Sequence, residues 1–177
     1  MREIMRNPQA MGAVKPSSKF LARELVRQVA DLPEGIIVEL GAGTGVVTQA
    51  LLDAGIAAER LRVIEQSPQL YGYLRNRFKN VRIIEGDATK LHELLGSEVK
   101  NVVAIVSSLP LRSLPLRQVK SLSHALEKIM KPNDLFVQFT YSRRIHYPYL
   151  SDRLRCIRSK FIWKNMPPAR VDVFMIN

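Results

Sequence analysis

The strongest constraint on the fold is a glycine-rich turn between an apolar run and a helix-like run. The turn reads ELGAGTG at residues 39–45, after the apolar residues 35–38 and before the helical pattern of residues 46–52. Glycines leave room for a ligand to lie against the backbone, whose amide groups can then face it. An apolar strand, a glycine turn and a helix in this order are typical of a nucleotide-type site in an α/β sheet.

The spacing of this turn narrows the class of ligand. It reads G-x-G-x-G rather than the G-x-G-x-x-G of a dinucleotide site, and no Gly-Lys-Ser/Thr of a P-loop follows it. Glu39 stands two residues before the first glycine, Gly41, and an acidic group there suits a cationic ligand better than a pyrophosphate. S-adenosylmethionine, with its sulfonium and ammonium groups, is such a ligand. We therefore expect it as the cofactor, with Glu39 either orienting the turn or meeting the ammonium group.

Strands and helices alternate along the rest of the chain. The pattern predicts helices at residues 19–30, 46–53, 68–78, 90–95 and 116–130, a further helix candidate at 149–157, and strands leading into the turn and at 61–65, 81–85, 101–106, 135–141, 160–165 and 171–176. The crossovers are long enough for parallel pairing. We therefore predict a doubly wound, Rossmann-like α/β fold with seven mostly parallel strands, closed by an antiparallel C-terminal hairpin at the sheet edge.

Acidic residues follow two of the predicted strands at the end where open α/β sheets bind ligands. Glu65 closes the second strand, about 20 residues beyond the turn, which is the separation expected for an acceptor of both ribose hydroxyls. Asp87 follows the third strand and could accept from the adenine amino group; a solvated strand-end carboxylate is the alternative for Glu65. The cofactor-binding residues that we predict are Glu39, Gly41, Ala42, Gly43, Gly45, Glu65, Gln66, Asp87, Ala88 and Ser107.

The 177 residues of the chain suffice for one domain, within which we mark residues 1–30 as an N-terminal helical segment near the membrane or the substrate.

The charge of the chain predicts an anionic partner. Lys+Arg 27 against Asp+Glu 16 give a net charge of +11. Such an excess favours nucleic acid or an acidic membrane surface, although a solvated basic surface without a specific partner remains an alternative.

Cysteine content and hydropathy bear on the compartment. Cys156 is the one cysteine, so we expect no intrachain disulfide, a reducing cytoplasm and a packing role for this side chain. We also predict no metal site. No apolar run approaches the roughly 18–20 residues that span a bilayer, and we expect no signal peptide. The expected location is therefore cytoplasmic, peripheral to the inner face of the membrane, with residues 1–13 either touching the membrane or frayed.

The motifs together resemble the class I S-adenosylmethionine-dependent methyltransferases. The markers are the turn at 39–45, Glu65, and Gly86-Asp87-Ala88. A narrower resemblance, to the bacterial phospholipid N-methyltransferases, rests on residues 13–18, 107–115, 138–141 and 165–169. It implies stepwise methylation of phosphatidylethanolamine, and of its mono- and dimethyl forms, toward phosphatidylcholine at the membrane surface.

The rRNA adenine dimethyltransferases are the main alternative, because they share the glycine turn. They carry an Asn-Leu-Pro-Tyr-type motif after the fourth strand, where this chain has Ser108-Leu109-Pro110-Leu111 without the asparagine and the aromatic residue. We also expect none of the helical C-terminal domain that those enzymes add for RNA. A third alternative is a cofactor-binding protein that has lost activity, against which the intact loop after the fourth strand argues.

The phospholipid resemblance implies roles for two further segments. Ser108 and Leu109, in the loop after the fourth strand, would hold the amine, and Tyr141 would be a second contact or offer its ring to the methylated cation; we group these three as catalytic. Arg144 with Tyr147 would bind the lipid phosphate, and His146 could accept a proton. The alternatives are a packing role for Tyr141 and surface roles for Arg144 and His146.

Overall fold

Seven strands form one mixed sheet in the computed structural model, which describes residues 19–141, 147, 150–165 and 167–176. The strands are β1 (Ile36–Leu40), β2 (Leu61–Glu65), β3 (Arg82–Glu85), β4 (Val102–Ser107), β5 (Leu135–Thr140), β6 (Leu154–Ile162) and β7 (Ala169–Ile176). Their order in the sheet is β3-β2-β1-β4-β5-β7-β6. The first five pair in parallel, and β7 is antiparallel to both of its neighbours, β5 and β6. The predicted doubly wound fold is confirmed.

Helices cover both faces of this sheet. In the described ranges they are α1 (Lys19–Arg27), α2 (Val46–Asp53), α3 (Pro68–Arg77), α4 (Leu91–Leu95) and α5 (Leu116–Ile129). One apolar core packs α1, α2 and α3 against one face of the sheet, and a second packs α4 and α5 against the other. Because both faces are covered, β1 is buried along its whole length.

Backbone hydrogen bonds join the carboxyl ends of neighbouring strands. The Gly41 amide donates to Ile64, the Ser108 amide to Leu40, and the Gly86 amide to the Glu65 carbonyl, with N···O distances of 2.9, 2.9 and 3.1 Å. The segments that follow β1 to β4 therefore meet at one edge of the sheet. This edge is where an open α/β sheet binds its ligand.

The predicted helix at residues 149–157 is wrong in its described part. Residues 154–162 form β6, which pairs with β7 from Leu154, opposite Ile176, to Ile162. Buried Leu154, exposed Arg155 and half-buried Cys156 alternate with the period of a strand. Pairing with β7 thus overrides a local pattern that suits a helix, and a bulge between Cys156 and Arg158 re-aligns the strand.

Helix α1 belongs to the protein core. Leu21, Ala22, Leu25 and Val26 are buried against the sheet, whereas Phe20 is exposed. Of the predicted N-terminal segment at residues 1–30, residues 1–18 lie outside the described residues. None of the helices in the described ranges has the length and apolar character that crossing a bilayer requires.

Candidate active site

The predicted cofactor residues come together at the carboxyl edge of four adjacent strands. Glu39 lies in β1, and residues 41–45 form the turn that follows it. Glu65 ends β2, with Gln66 exposed beyond it. Asp87 and Ala88 follow β3, and Ser107 ends β4. Sequence order separates these residues widely, and the sheet order β3-β2-β1-β4 makes their segments neighbours.

The three glycines of the turn have different surroundings, although all have positive φ angles. A Cβ on Gly41 would lie 2.6 Å from the Leu109 side chain, and one on Gly45 would lie 2.4 Å from the Phe78 ring. A Cβ on Gly43 would meet no atom within 4 Å. Gly41 and Gly45 therefore allow close packing within the protein, and Gly43 borders the open space above the turn.

Glu65 ties this turn to the end of β2. Its Oε2 accepts from the Gly43 amide and its Oε1 from the Ser67 amide, each at 3.0 Å. The residue is buried, 7% exposed. Because each carboxylate oxygen has two lone pairs, both oxygens can still accept one more hydrogen bond. The arrangement fits the predicted ribose-binding role and adds a structural one.

Glu39 is a fully buried carboxyl group with one unpartnered oxygen. Its Oε2 accepts from the Thr48 hydroxyl at 2.6 Å, and its Oε1 has no hydrogen-bond partner. Burial raises the pKa of Glu39 from 4.5 to about 7, although the Thr48 hydrogen bond opposes the rise. A nearby cationic group would lower this pKa again and give Oε1 the partner that it lacks.

Asp87 caps the short 3₁₀ turn Ala88–Lys90. Its Oδ1 accepts from the Thr89 amide at 2.8 Å, and the residue is half-buried. The cap fixes the carboxyl group at the end of β3, as the prediction for an adenine contact requires. Contact of Asp87, Gln66 or Ala88 with a cofactor stays a prediction.

The loop after β4 lies against the glycine turn through Leu109. Ser107 is buried, and its hydroxyl accepts from the Leu109 amide at 3.3 Å. The Leu109 carbonyl already accepts from the Leu111 amide and from the Gln138 side chain, both at 2.9 Å. It is therefore a poor acceptor for a substrate amine. Ser108 Oγ, by contrast, is buried and has no partner.

Gln138 is a candidate site residue to which sequence reasoning gave no role. It lies near the end of β5, in register with Ser107 of β4, and is 1% exposed. Its Nε2 donates to the Leu109 and Phe139 carbonyls at 2.9 and 2.5 Å, which fixes the amide, and its buried Oε1 has no partner. The sequence signal was the 138–141 motif of the phospholipid N-methyltransferase resemblance, in which Gln138 interrupts an apolar strand.

A buried ion pair lies beside Gln138 on the next strand. Asp172 of β7 is in register with Gln138, and both of its oxygens accept from the Arg170 guanidinium at 2.7 Å. The Tyr147 hydroxyl donates to Asp172 at 2.7 Å, and the Ser159 hydroxyl donates at 2.6 Å. The hydroxyl proton of Tyr147 is thus engaged within the protein, and burial raises its pKa. Binding of a lipid phosphate by Tyr147 stays a prediction.

The other predicted substrate residues lie further out. Tyr141 follows β5, is 38% exposed and contacts Phe139 edge-to-face, with ring centroids 5.6 Å apart. Its ring is therefore accessible at the edge of the sheet that carries the glycine turn. Arg144 and His146 lie outside the described residues.

Comparison with curated proteins finds methyltransferases. The chain is 28% identical over 171 residues to the ornithine lipid N-methyltransferase of Singulisphaera acidiphila, covering 94% of this chain and 89% of that protein. It is 26% identical over 110 residues to ribosomal RNA small subunit methyltransferase A of Chlorobium chlorochromatii, covering 59% of this chain and 41% of that protein. No protein-family model matches the chain.

Solved structures with the same fold include an N-methyltransferase. TrmN from Thermus thermophilus superposes with a TM-score of 0.77 at 14% identity, covering 97% of this chain and 52% of that one. The glycopeptide N-methyltransferase MtfA in complex with S-adenosylmethionine gives a TM-score of 0.59 at 17% identity, covering 90% and 67%. The resemblance read from the glycine turn is confirmed: the chain has the fold of the class I S-adenosylmethionine-dependent methyltransferases.

Proposed function

We propose that the protein is an S-adenosylmethionine-dependent N-methyltransferase whose acceptor is the headgroup amine of a membrane lipid. The observation that carries this proposal is the similarity to an ornithine lipid N-methyltransferase along nearly the whole of both chains. Phosphatidylethanolamine, with its mono- and dimethyl forms, is the substrate that the sequence motifs favour, and ornithine lipid is the one that the relative favours. Both lipids present an amino group.

The residues at the glycine turn suit S-adenosylmethionine. Gly43 leaves open space above the turn, Glu65 has acceptor capacity for ribose hydroxyls, and Glu39 has a buried, unpartnered oxygen for a cation. When bound, this cofactor supplies an electrophilic methyl group. The part of the protein is then to hold an uncharged amine with its lone pair free.

Two unpartnered acceptors could hold such an amine. Gln138 Oε1 and Ser108 Oγ are both buried and carry no hydrogen bond, and the Gln138 amide lies against the loop that contains Ser108. A primary amine has two N–H groups and one lone pair. If each acceptor takes one N–H, the lone pair stays free for methyl transfer. This assigns to Gln138 the task that sequence reasoning gave to Leu109 and keeps the one that it gave to Ser108.

The predicted outer residues complete this proposal. Tyr141 is accessible at the same edge and could face the increasingly methylated nitrogen with its ring. Arg144 remains the proposed contact for the lipid phosphate, and His146 the proposed proton acceptor. A substrate anchored in a bilayer requires the protein at the membrane surface, which is the peripheral location expected from its charge.

Methylation of rRNA is the second candidate, favoured by the partial similarity to ribosomal RNA small subunit methyltransferase A. The position at which those enzymes carry an aromatic residue is Leu111 here, and its side chain is buried in the protein core. It therefore offers no ring on which a base could stack. The lipid amine is the better supported acceptor.

A single reaction with labelled S-adenosylmethionine distinguishes lipid methylation from rRNA methylation. Vesicles that contain phosphatidylethanolamine, ornithine lipid and some anionic lipid are offered together with total rRNA, and the label is then partitioned between the organic extract and the RNA. We expect label in the lipid extract. Label in the RNA alone would overturn the proposal.

A further inference from the structure

The most exposed large hydrophobic side chain of the described residues is Trp163. It is 69% exposed, and its ring stacks on Phe161, with centroids 5.7 Å apart and an interplanar angle of 22°. Isolated exposed apolar residues are common on protein surfaces. A stacked pair of aromatic side chains at a turn is a larger apolar surface, and indole rings favour the boundary between water and lipid.

Hydrogen bonds within the protein hold the turn that carries this aromatic pair. Asn165 is buried; its amide donates to the Ile162 carbonyl at 3.2 Å and its side-chain nitrogen to the Pro167 carbonyl at 2.5 Å. On its inner side, Phe161 lies 5.7 Å from the buried Arg170 guanidinium. Phe161 thus has protein contacts beneath it, and Trp163 projects beyond it into solvent.

The strand that leads to Trp163 is basic. Residues 154–165 include Arg155, Arg158, Lys160 and Lys164 and no acidic residue. Lys160 pairs with Glu24 of α1 at 2.8 Å, whereas Lys164 lies beside Trp163 in the turn and is exposed. A basic strand that leads to an aromatic pair, with the exposed Lys164 beside it, matches a membrane surface rich in anionic lipid.

The position of the turn relates it to the candidate active site. Strand β6 runs in the direction of β5, so its last residues lie at the carboxyl edge of the sheet. Phe161 is in register with Arg170, and Arg170 with Thr140, the residue before Tyr141. A bilayer in contact with Trp163 would therefore lie at the edge that carries Gln138 and the glycine turn.

A second basic surface lies elsewhere. A depression of about 570 Å³ is lined by residues of α3, of β3 and of the connection between them, including Arg75, Lys79 and Arg82. These residues lie around the connection from α3 to the beginning of β3, toward the amino ends of the strands. A membrane bound there would leave the active site facing away from its substrate.

From these observations we infer that Phe161, Trp163 and Lys164 form a membrane-docking surface. This docking surface inserts its aromatic pair into anionic lipid beside the active site. The inference rests on the proposed function for the nature of the partner. It places membrane contact at the end of β6, in addition to the N-terminal segment predicted from the sequence.

Trp163 reports on this surface directly, because it is the one tryptophan of the chain. Its emission is recorded for the full-length protein with vesicles of phosphatidylcholine alone and with added phosphatidylglycerol. We expect a blue shift with the anionic vesicles and quenching when their acyl chains are brominated. Unchanged emission, whether or not the protein sediments with the vesicles, would overturn the inference. So would a change seen with rRNA and not with vesicles.

Variants provide a second measurement. Trp163→Ala should lower the affinity for anionic vesicles in sedimentation roughly tenfold or more, since it removes a large side chain from lipid. Lys164→Ala should lower it less and in a salt-dependent manner, with Lys79→Ala at the α3–β3 depression as the matched control. Equal binding by Trp163→Ala and the unmodified protein would contradict the inference.

Failure of the docking surface and failure of the proposed function give different results. If the emission shifts but no lipid is methylated, the docking surface stands and the proposed reaction does not. If lipid is methylated while the emission stays constant, the reaction stands and the docking surface is overturned. S-adenosylmethionine binding should be equal in the Trp163→Ala variant and the unmodified protein, which checks that the variant is folded.

Discussion

The Gly43 amide donates a hydrogen bond to the Glu65 carboxylate, with a distance of 3.0 Å between the nitrogen and Oε2. The bond joins the turn after β1 to the end of β2, and the other carboxylate oxygen holds the Ser67 amide at the beginning of α3. Glu65 therefore sets the shape of the glycine turn before any ligand binds. The same carboxylate keeps lone pairs that can accept further hydrogen bonds from a ligand.

Gly43→Ala should weaken S-adenosylmethionine binding directly, in addition to a small loss of folding stability. A Cβ at Gly43 meets no protein atom within 4 Å, so the added methyl group enters only the open space above the turn. The positive φ of 58° costs about 1 kcal/mol for a residue other than glycine. Calorimetric titration with the cofactor measures the affinity.

Gly55→Ala is the matched control for this substitution. Gly55 also has a positive φ, of 88°, and open space around its Cβ position, but it follows α2 at the far end from the turn. We expect a similar loss of stability and an unchanged cofactor affinity. Equal affinities for the Gly43 and Gly55 variants would show that the cofactor lies elsewhere.

Glu39 should make the stability of the ligand-free protein fall with rising pH. Between its unfolded pKa of 4.5 and its folded pKa of about 7, the folded state holds a proton that the unfolded state has released. The free energy of unfolding therefore decreases by on the order of 3 kcal/mol through this window. Above pH 7 it levels off. Urea unfolding at pH 5 and pH 8 measures the difference.

Glu39→Gln should remove most of this pH dependence, because the amide keeps an acceptor for Thr48 and does not titrate. Glu34→Gln, at an exposed position before β1, is the matched control and should keep the dependence. The interpretation of Glu39 fails if both variants show the same slope as the unmodified protein. Saturating S-adenosylmethionine should reduce the slope in the unmodified protein, since a cation beside Glu39 favours its carboxylate.

Gln138→Leu should slow methylation most strongly for the acceptor with most N–H groups. Loss of a buried hydrogen bond to the amine should lower kcat/KM for a primary amine roughly tenfold to hundredfold. The effect should shrink for the monomethyl lipid and nearly vanish for the dimethyl lipid, whose uncharged nitrogen has no N–H. Rates for the three lipids in matched vesicles test this order.

A merely structural role for Gln138 would slow all three lipids alike. Gln118→Leu, on the exposed side of α5, controls for the change in side-chain polarity and should leave the rates unchanged. S-adenosylmethionine affinity should also be preserved in the Gln138 variant, because the predicted cofactor contacts lie on β1 to β4.

Arg170→Met should destabilise the protein strongly. Arg170 and Asp172 are both fully buried, and the substitution leaves the Asp172 carboxylate without its cation, at a cost of about 3–5 kcal/mol. The double variant Arg170→Met with Asp172→Leu removes both charges and should recover much of the loss. Denaturant unfolding measures the free energy of unfolding of the unmodified protein, the single variant and the double variant. A double variant less stable than the single variant would contradict this account of the ion pair.

Local patterns predicted the part of the fold that positions the cofactor site. The bounds of β2, Leu61–Glu65, are those read from the sequence, and α2 spans Val46–Asp53 as predicted. In this half of the chain each strand leads into a turn and a helix, so the local signals agree with the sheet topology. The glycine turn marked the binding edge, although only the structure distinguishes Gly43 from the two packing glycines.

The C-terminal part of the chain was harder to predict because its contacts are long-range. The predicted antiparallel hairpin at the sheet edge is confirmed. Its inner strand, β7, lies between β5 and β6, so Asp172 and Arg170 are buried, and the local sequence does not predict that burial. The role of Gln138 likewise depends on a contact with Leu109, 29 residues away, which no local spacing reveals.

The central claim, that the acceptor is a lipid amine, is tested most directly by mass spectrometry of the lipid product. The protein is incubated with S-adenosylmethionine and vesicles that contain phosphatidylethanolamine or ornithine lipid, with Gly43→Ala as the deficient control, and fragmentation locates the added methyl groups. We predict methyl groups on the headgroup nitrogen, reduced in the control. Methyl groups elsewhere on the lipid, or unmodified lipid despite bound cofactor, would contradict the claim.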